Sequence, residues 1–277
     1  MILMINNLPF KFGVEIECFG CKRIDIKNEL DKLNIPCEIK TYSHGVPNAW
    51  KITLDGSVTC DGTDPIDDYY GNIVMKGIEV VSPVLEGTNG ISQLRNVISV
   101  LNKLHAKIDN TASIHVHIDT STMDYNAIKN ALIFYYNYQN AIECLIHEDR
   151  RNGNNPYCLP IELEQLKKVR SADSIERIGI AMRTRKKCVN ARTYRRGYNT
   201  LEFRQLHATL DFDEIYNWIM LLENIMYYCS NLDGVLKINK YDNIMDQFNK
   251  LNKDLKLYKN KRLFKYFSYH ISKELHT

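Results

Sequence analysis

The chain has 277 residues, of which 44% are hydrophobic and 25% charged, which is enough apolar material for one large domain or two small ones with a buried core. Its formal net charge of +3 is too small to steer the whole chain towards nucleic acid or a membrane surface. No run of roughly 18 apolar residues occurs, so the sequence predicts no transmembrane helix.

The cysteines and the first residues bear on the compartment of the protein. Eight cysteines are scattered along the chain, and only Cys18 and Cys21 have the C-x-x-C spacing. Without a second such pair, the sequence favours free thiols in a reducing compartment over a disulfide framework. The opening MILMINNLPFKFG has neither a basic first segment nor a long apolar one, so we expect no signal peptide and a cytoplasmic location.

Hydrophobic periodicity predicts strands and helices along the whole chain. In chain order we first expect a strand at 11–18, a short helix at 24–33, two strands within 37–62, a polar loop at 61–72 and a strand at 76–85. A helix at 91–104, a strand at 112–120, a long helix at 124–149 and one or two helices at 160–182 follow. The chain then continues with a strand at 200–207, a helix capped by Asp211 or Asp213, and a Lys-rich helical tail from 240. This order predicts an α+β fold, in which an antiparallel sheet of about six strands forms the floor of a site and helices pack on its other face.

Four of the predicted strands carry charged or imidazole side chains where a solvated face would carry Thr, Ser and Lys. Residues i and i+2 of a strand point to the same face, so each strand has one such polar face and one apolar face. The polar positions are Glu15 and Glu17 in the first strand, Glu79 in the second, His115 and His117 in the third, and Glu202 and Arg204 in the fourth.

These residue types point to a site for a nucleotide and metal ions. Mg2+ and Mn2+ prefer carboxylate oxygens and tolerate an imidazole. Several carboxylates in one cleft repel each other unless cations lie between them. An arginine donates two hydrogen bonds to a phosphate or a carboxylate, so Arg204 would stabilise a transferring phosphoryl group whose oxygens the metals bridge.

The order of these motifs resembles the amidoligase family, which belongs to the glutamine synthetase and glutamate–cysteine ligase superfamily of carboxylate–amine ligases. The resemblance rests on FGVEIE, then LDGSV, GIEVVSP and SIHVHID, and finally TLEFRQLHATLD followed by a Trp-bearing helix. E-x-E and H-x-H are common motifs, and the match gains its specificity from their order and spacing. The resemblance implies a glutamine synthetase-like catalytic domain, to which we assign residues 1–235, with residues 236–277 as a helical extension packed on it.

The resemblance also implies a chemistry. ATP phosphorylates a carboxylate, and an amine attacks the acyl phosphate to give an amide, ADP and phosphate. Two or three Mg2+ ions, or Mn2+ in their place, would take part. The implied metal ligands are Glu15, Glu17, Glu79, His115 and Glu202. Arg204 would contact the γ-phosphate, His117 the substrate or the phosphate, and Asp55 the amine or a metal. The implied catalytic residues are Arg204, Glu79 and His117.

One segment departs from the family pattern because it is far more basic. Where the family has a Tyr and an Asn–hydrophobic pair, Asn190 is the candidate counterpart, and Arg192, Arg195 or Arg196 would reach the ATP phosphates. Residues 183–196 also fit a docking patch for a peptide or protein with an acidic acceptor, or a solvated loop.

Two other functions stay open from the sequence. The first is an inactive relative that binds a nucleotide or a protein. The presence of every matched motif residue argues against it. The second is a zinc hydrolase, in which the H-x-H strand joins Cys18 and Cys21 around a tetrahedral ion. The glutamates favour harder ions than zinc. The sequence identifies neither the carboxylate nor the amine, and it leaves the oligomeric state open.

Overall fold

The structure is a computed structural model that describes residues 8–40, 45–58, 66–67, 73–74, 77–240 and 243–276. In this part of the chain there are nine strands and nine α-helices. The strands are β1 (Phe12–Cys18), β2 (Cys37–Ile39), β3 (Trp50–Asp55), β4 (Ile66–Asp67), β5 (Ile73–Val74), β6 (Gly77–Val81), β7 (Ile114–Asp119), β8 (Val189–Asn190) and β9 (Thr200–Phe203). The helices are α1 (Arg23–Lys32), α2 (Gly87–Lys103), α3 (Tyr125–Asn137), α4 (Gln139–Glu143), α5 (Leu163–Ser171), α6 (Ile175–Ala181), α7 (Phe212–Ser230), α8 (Ile244–Leu255) and α9 (Lys261–Leu275).

Seven strands form a mixed sheet in the order β2-β3-β6-β1-β7-β9-β8, and β4 pairs with β5 in a separate two-stranded sheet. Strand β6 runs antiparallel to both β1 and β3, and β8 runs antiparallel to β9, whereas β2 runs parallel to β3. The predicted α+β class is therefore confirmed, with seven strands in place of about six and one parallel pair. A tight hairpin would make neighbouring strands antiparallel, but β2 ends at Ile39 and β3 begins at Trp50, which is farther apart than the loop of about two to five residues in a hairpin.

The chain divides into two compact units, which are described separately below. The N-terminal unit comprises residues 11–116 and 206–216, and the C-terminal unit comprises the described parts of 1–10, 117–205 and 217–277. Strand β7 and helix α7 contribute residues to both. The predicted boundary at residue 235 falls inside the C-terminal unit and stays a prediction.

Helices cover the apolar face of the sheet in the N-terminal unit. Val14 and Ile16 of β1 and Val80 of β6 are at most 1% exposed. The indole nitrogen of Trp50 in β3 donates to Oε1 of Gln93 in α2 at 3.4 Å, which places α2 on this face. The buried stripes of the two covering helices, α1 and α2, include Ile26, Leu30, Leu94, Val97, Ile98 and Leu101. The other face of these strands is thereby left to the polar side chains.

The C-terminal helices belong to the core of the C-terminal unit. The amide of Ala141 in α4 donates to Oε1 of Gln247 in α8 at 3.0 Å, and the hydroxyl of Tyr138 donates to Asp254 at 2.6 Å. The apolar side chains that α8 and α9 bury are Phe248, Leu251, Leu255, Leu263, Phe267 and Ile271. The predicted helical tail is confirmed.

The prediction of one long helix over 124–149 is wrong. Helix α3 ends at Asn137, α4 covers Gln139–Glu143, and a short 3-10 segment follows at Glu148–Arg150. The Asn137 amide group donates to the carbonyl of Lys237 at 2.9 Å and accepts from the amide of Asn239 at 2.8 Å. Because both faces of α3 are largely buried, its sequence pattern carries no signal for this break.

Two smaller differences from the predicted elements concern loops and short strands. The polar loop predicted at 61–72 lies outside the described residues except for 66–67. The two-residue strand β8 and the 3-10 helix Arg192–Arg196 were not predicted, since such short elements have no measurable period. None of the described helices is long and apolar enough to cross a membrane.

The cysteines of the described residues are free thiols, and all of them are buried. They are Cys18, Cys21, Cys37, Cys144, Cys158, Cys188 and Cys229. Burial raises the pKa of Cys37 and that of Cys144 to about 12, and it also raises the pKa values of the Cys188 and Cys229 thiols.

Candidate functional site

Neighbouring strands of the N-terminal unit place their polar side chains in register on one face. Glu17 of β1 lies opposite Glu79 of β6, and Glu15 lies opposite Val81. Directly opposed residues of an antiparallel pair share a face, so all three glutamates lie on the face that the alternation predicts.

Strand β7 adds His115 to this face. Its Nδ1 lies 2.9 Å from Oε2 of Glu15, and its Nε2 lies 2.9 Å from Oγ of Ser113. The Ser113 hydroxyl in turn donates to Oε2 of Glu17 at 2.8 Å. His115 therefore contacts one carboxylate directly and a second one through a serine hydroxyl.

The carboxylates of this face repel each other. Burial, followed by the charges of Glu15, Asp55 and Glu17, raises the pKa of the Glu79 carboxyl well above its usual value. The charge of Lys51 opposes that increase. A carboxyl group perturbed in this way marks a place where a bound cation would lower the electrostatic energy.

The donor set of the face fits divalent cations at two positions. Two ligands at right angles on an ion with bonds of about 2.1 Å lie about 3.0 Å apart, close to the 2.9 Å between Glu15 Oε2 and His115 Nδ1. In a second set, Glu17, Glu79 and His115 each offer a ligand atom, and these atoms lie within 4.8 Å of one another. Glu17 and His115 are only 4% and 3% exposed. Carboxylates with one imidazole suit Mg2+ and Mn2+.

Two side chains of β3 that were not predicted as site residues belong to the same face. Thr53 lies opposite Glu79, and its buried hydroxyl has no hydrogen-bond partner among the described residues. Lys51 is also buried, and it lies opposite Val81. Their alternation with Asp55 in WKITLD is the signal that could have identified them. A buried hydroxyl without a partner beside a carboxyl group is a place where a bound ligand would complete the hydrogen bonding.

Asp55 lies at the end of this row of β3 side chains. Its Oδ1 accepts hydrogen bonds from the amide and the hydroxyl of Ser57, both at 2.6 Å. The predicted substrate residue is therefore on the same strand face as Thr53, and it acts on Glu79 through its charge.

Residues Glu202 and Arg204 of the last predicted strand lie in the C-terminal unit. The Arg204 guanidinium pairs with Oε1 of Glu202, and its Nε donates to the carbonyl of Tyr157 at 3.2 Å. The side-chain amide of Asn190 donates to Oε2 of Glu202 at 2.5 Å. Glu202 is thus held by Arg204, which is predicted to bind the γ-phosphate, and by Asn190, which is predicted to bind the nucleotide.

The two histidines of the H-x-H strand have different partners. His117 is half-buried, and its Nδ1 lies 3.4 Å from the hydroxyl of Thr200 on β9. His115 contacts Glu15 and Ser113. The two histidines therefore lie in different hydrogen-bond environments, and their roles stay predictions.

Part of the basic segment 183–196 is buried and paired. Lys187 is 2% exposed, and its Nζ donates to Oε1 of Glu162 at 2.7 Å and to the carbonyl of Pro160 at 2.9 Å. The amide of Arg192 donates to Oδ1 of Asn190 at 2.8 Å, and its guanidinium donates to the carbonyl of Arg183. Arg195 and Arg196 are exposed. This segment has seven Lys or Arg and no Asp or Glu, whereas the whole chain has a net charge of only +3, so the rest of the chain is net negative.

The cysteine pair of the zinc hypothesis has a different environment. A hydrogen bond with Cys21, together with burial, raises the pKa of the Cys18 thiol well above its usual value. A raised pKa disfavours the thiolate that zinc requires. Within the described residues, neither cysteine belongs to a group of side chains spaced to hold a metal.

The family described as "Putative amidoligase enzyme" matches residues 8–226, which is most of the chain. No curated protein matches the sequence. A bifunctional glutathione synthetase from Pasteurella multocida is similar in structure, with a TM-score of 0.46 and 10% identity over 98% of this chain and 48% of its own. A novel glutamine synthase homolog has a TM-score of 0.42 and 10% identity over 96% of this chain and 67% of its own. The chain therefore spans about half the length of the glutathione synthetase.

Proposed function

The chain belongs to the amidoligase family, and from that premise we propose that it is an ATP- and Mg2+-dependent ligase that joins a carboxylate to an amine. A carboxylate oxygen of the substrate attacks the γ-phosphorus of ATP, ADP leaves, and an acyl phosphate forms. The amine nitrogen then attacks the acyl carbon and loses a proton, the acyl carbon–oxygen bond breaks, and phosphate leaves.

The observation that carries this proposal is the polar face of the N-terminal unit. Its glutamates and His115 would hold divalent cations at two places, the first beside Glu15 and the second beside Glu17 and Glu79. Bound cations would neutralise phosphate oxygens at these places. The chain's own contribution is to hold the ligands on a sheet with fixed register, so that they need no reorganisation when charge develops.

The residues of the C-terminal unit would bind the nucleotide and the transferring group. We assign metal ligation to Glu202 and the γ-phosphate to Arg204, whose guanidinium is oriented by Glu202 and by the Tyr157 carbonyl. His117 would contact the substrate or the phosphate. We assign the remaining nucleotide contacts to Asn190, Arg192 and Arg196.

The substrate class we propose is a peptide or protein with an acidic acceptor. The basic segment 183–196 approaches Arg204 through Tyr157, because the ammonium group of Lys186 lies 4.7 Å from the centre of the Tyr157 ring. A substrate with several carboxylates would place one near Arg204 and the others on this segment.

Release of phosphate and ADP tests the proposal directly. The purified protein is incubated with ATP, Mg2+ and a pool of amino acids and glutamate-rich peptides. We expect phosphate release, and we expect Glu17→Gln to lower it at least about 100-fold, because an uncharged amide replaces an anionic metal ligand. Glu148→Gln, at an exposed glutamate outside the site, is the matched control and should keep wild-type turnover.

Two results would reject the ligase. ATP binding without turnover on any substrate would identify an inactive nucleotide-binding module. Stoichiometric zinc after purification, with hydrolysis that depends on it, would favour the hydrolase.

A further inference from the structure

We infer that Ser113 is a positioning residue, whose hydroxyl makes Nδ1 of His115 the metal-facing nitrogen and connects the two cation positions. The inference rests on the proposed function, because it requires a divalent cation at this face.

Counting donors and acceptors assigns the direction of each hydrogen bond. The Ser113 hydroxyl has one hydrogen, and it donates to Oε2 of Glu17 at 2.8 Å. Its oxygen also lies 2.9 Å from Nε2 of His115, so it must accept from an N–H on that nitrogen. An imidazole that binds a metal ion is neutral and has a single N–H, so with a cation bound at this face the N–H is on Nε2 and Nδ1 carries the lone pair.

That lone pair is directed at a carboxylate. Nδ1 of His115 lies 2.9 Å from Oε2 of Glu15, and both atoms are acceptors in this tautomer. A cation between them satisfies both at once, at a spacing that suits two neighbouring ligands of an octahedral ion. A histidine that binds a metal generally donates its other N–H to a fixed acceptor, and Ser113 is that acceptor here.

Ser113 is buried, so a water molecule cannot easily take the place of its hydroxyl group. Ser113 is 4% exposed and His115 is 3% exposed, so bulk water does not reach the hydrogen bond between them. The main-chain carbonyl of Ser113 accepts from the amide of Glu17 at 3.1 Å, which fixes the serine against β1. One residue thus holds Glu17 at the second cation position and His115 at the first.

Manganese binding to the metal-stripped protein tests the inference without a substrate. Electron paramagnetic resonance of free Mn2+ gives the affinity. We expect Ser113→Ala to weaken Mn2+ binding about 10–100-fold, the usual effect of removing a group that orients a metal ligand. Ser113→Thr retains the hydroxyl and should recover most of the affinity.

Ser82→Ala is the matched control. Ser82 is another buried serine of the N-terminal unit, and its hydroxyl accepts from the amide of Val14 at 2.8 Å. We expect its substitution to lower the melting temperature about as much as Ser113→Ala and to leave the Mn2+ affinity unchanged.

A second measurement uses the wild-type protein and does not depend on a variant that folds. Long-range 15N–1H spectra of the Mg2+-loaded protein should show the proton of His115 on Nε2. A proton on Nδ1 would overturn the inference, as would wild-type Mn2+ affinity in Ser113→Ala or an equal loss in Ser82→Ala. If wild-type protein binds no Mn2+, or if Glu17→Gln binds it normally, the proposed metal-dependent function fails as well.

Discussion

At the scale of single residues, Glu223 is the least exposed carboxyl group outside the candidate site in the part of the chain that the structure describes. It lies in α7 and is 1% exposed. Its Oε2 accepts from the amide of Phe10 at 3.2 Å, and its Oε1 has no partner among the described residues. Burial raises the pKa of Glu223 to about 8. The charged form is therefore destabilised in the folded protein.

We predict that Glu223→Gln stabilises the protein in a pH-dependent way. Because the folded pKa is higher than the unfolded one, the wild-type free energy of unfolding falls as pH rises from about 4 towards 8. The amide does not ionise, so the variant should match wild type near pH 4 and exceed it by about 1–3 kcal/mol at pH 8. Urea unfolding at both pH values measures this. An unchanged difference across the pH range would contradict it, and Glu148→Gln is the exposed control.

At the scale of elements, the sequence was informative where each face of a strand has its own chemistry. Strand β1 alternates Val14 and Ile16 with Glu15 and Glu17, so its apolar face and its polar face could be predicted. The role of Ser113 could not, since it contacts a glutamate 96 positions away and looks like an ordinary strand residue. The break after Asn137 was missed for the same reason, because the loop at 237–239 that contacts it is distant in sequence.

Helix α3 begins at a cap that supports a second prediction. Oδ1 of Asp124 accepts from the amide of Ala127 at 2.7 Å and satisfies one of the donors at the start of the helix. Asp124→Ala should lower the free energy of unfolding by about 1 kcal/mol, whereas Asp124→Asn keeps an acceptor and should lose much less. Chemical denaturation of the three proteins compares them. Equal losses in the two variants would exclude the cap as the cause.

At the scale of the whole molecule, the last helices are integral to the C-terminal unit. Gln247 is fully buried and accepts from the backbone of α4, and Arg151 pairs with Glu274 of α9 at 2.6 Å. Phe248 and Phe267 pack with their ring centroids 5.2 Å apart. These contacts favour an extension packed on the rest of its unit over an independent tail.

Deletion of residues 236–277 should therefore prevent folding of the C-terminal unit. The deletion removes the large buried side chains of α8 and α9, and the loss of each costs about 2–5 kcal/mol. It also leaves the amide of Ala141 in α4 without its acceptor, Gln247, which costs about 1–3 kcal/mol. We expect aggregation or loss of the cooperative melting transition. A chain ending at residue 275 is the control and should melt like wild type. A soluble, cooperatively melting chain that ends at 235 would instead support a self-contained domain with that boundary.

The rate at which each buried cysteine reacts with an alkylating reagent would report how often its region of the protein opens. Their thiols are shielded from reagents, and the raised pKa of Cys37, Cys144 and Cys229 keeps the reactive thiolate scarce. Alkylation of each must therefore wait for a local opening. Mass spectrometry of the modified peptides over time would give a separate opening free energy for β2, for the end of α4 and for the end of α7. Repeating the series with Mg2+ and ATP would show which of these regions the ligands stabilise, before any substrate is known.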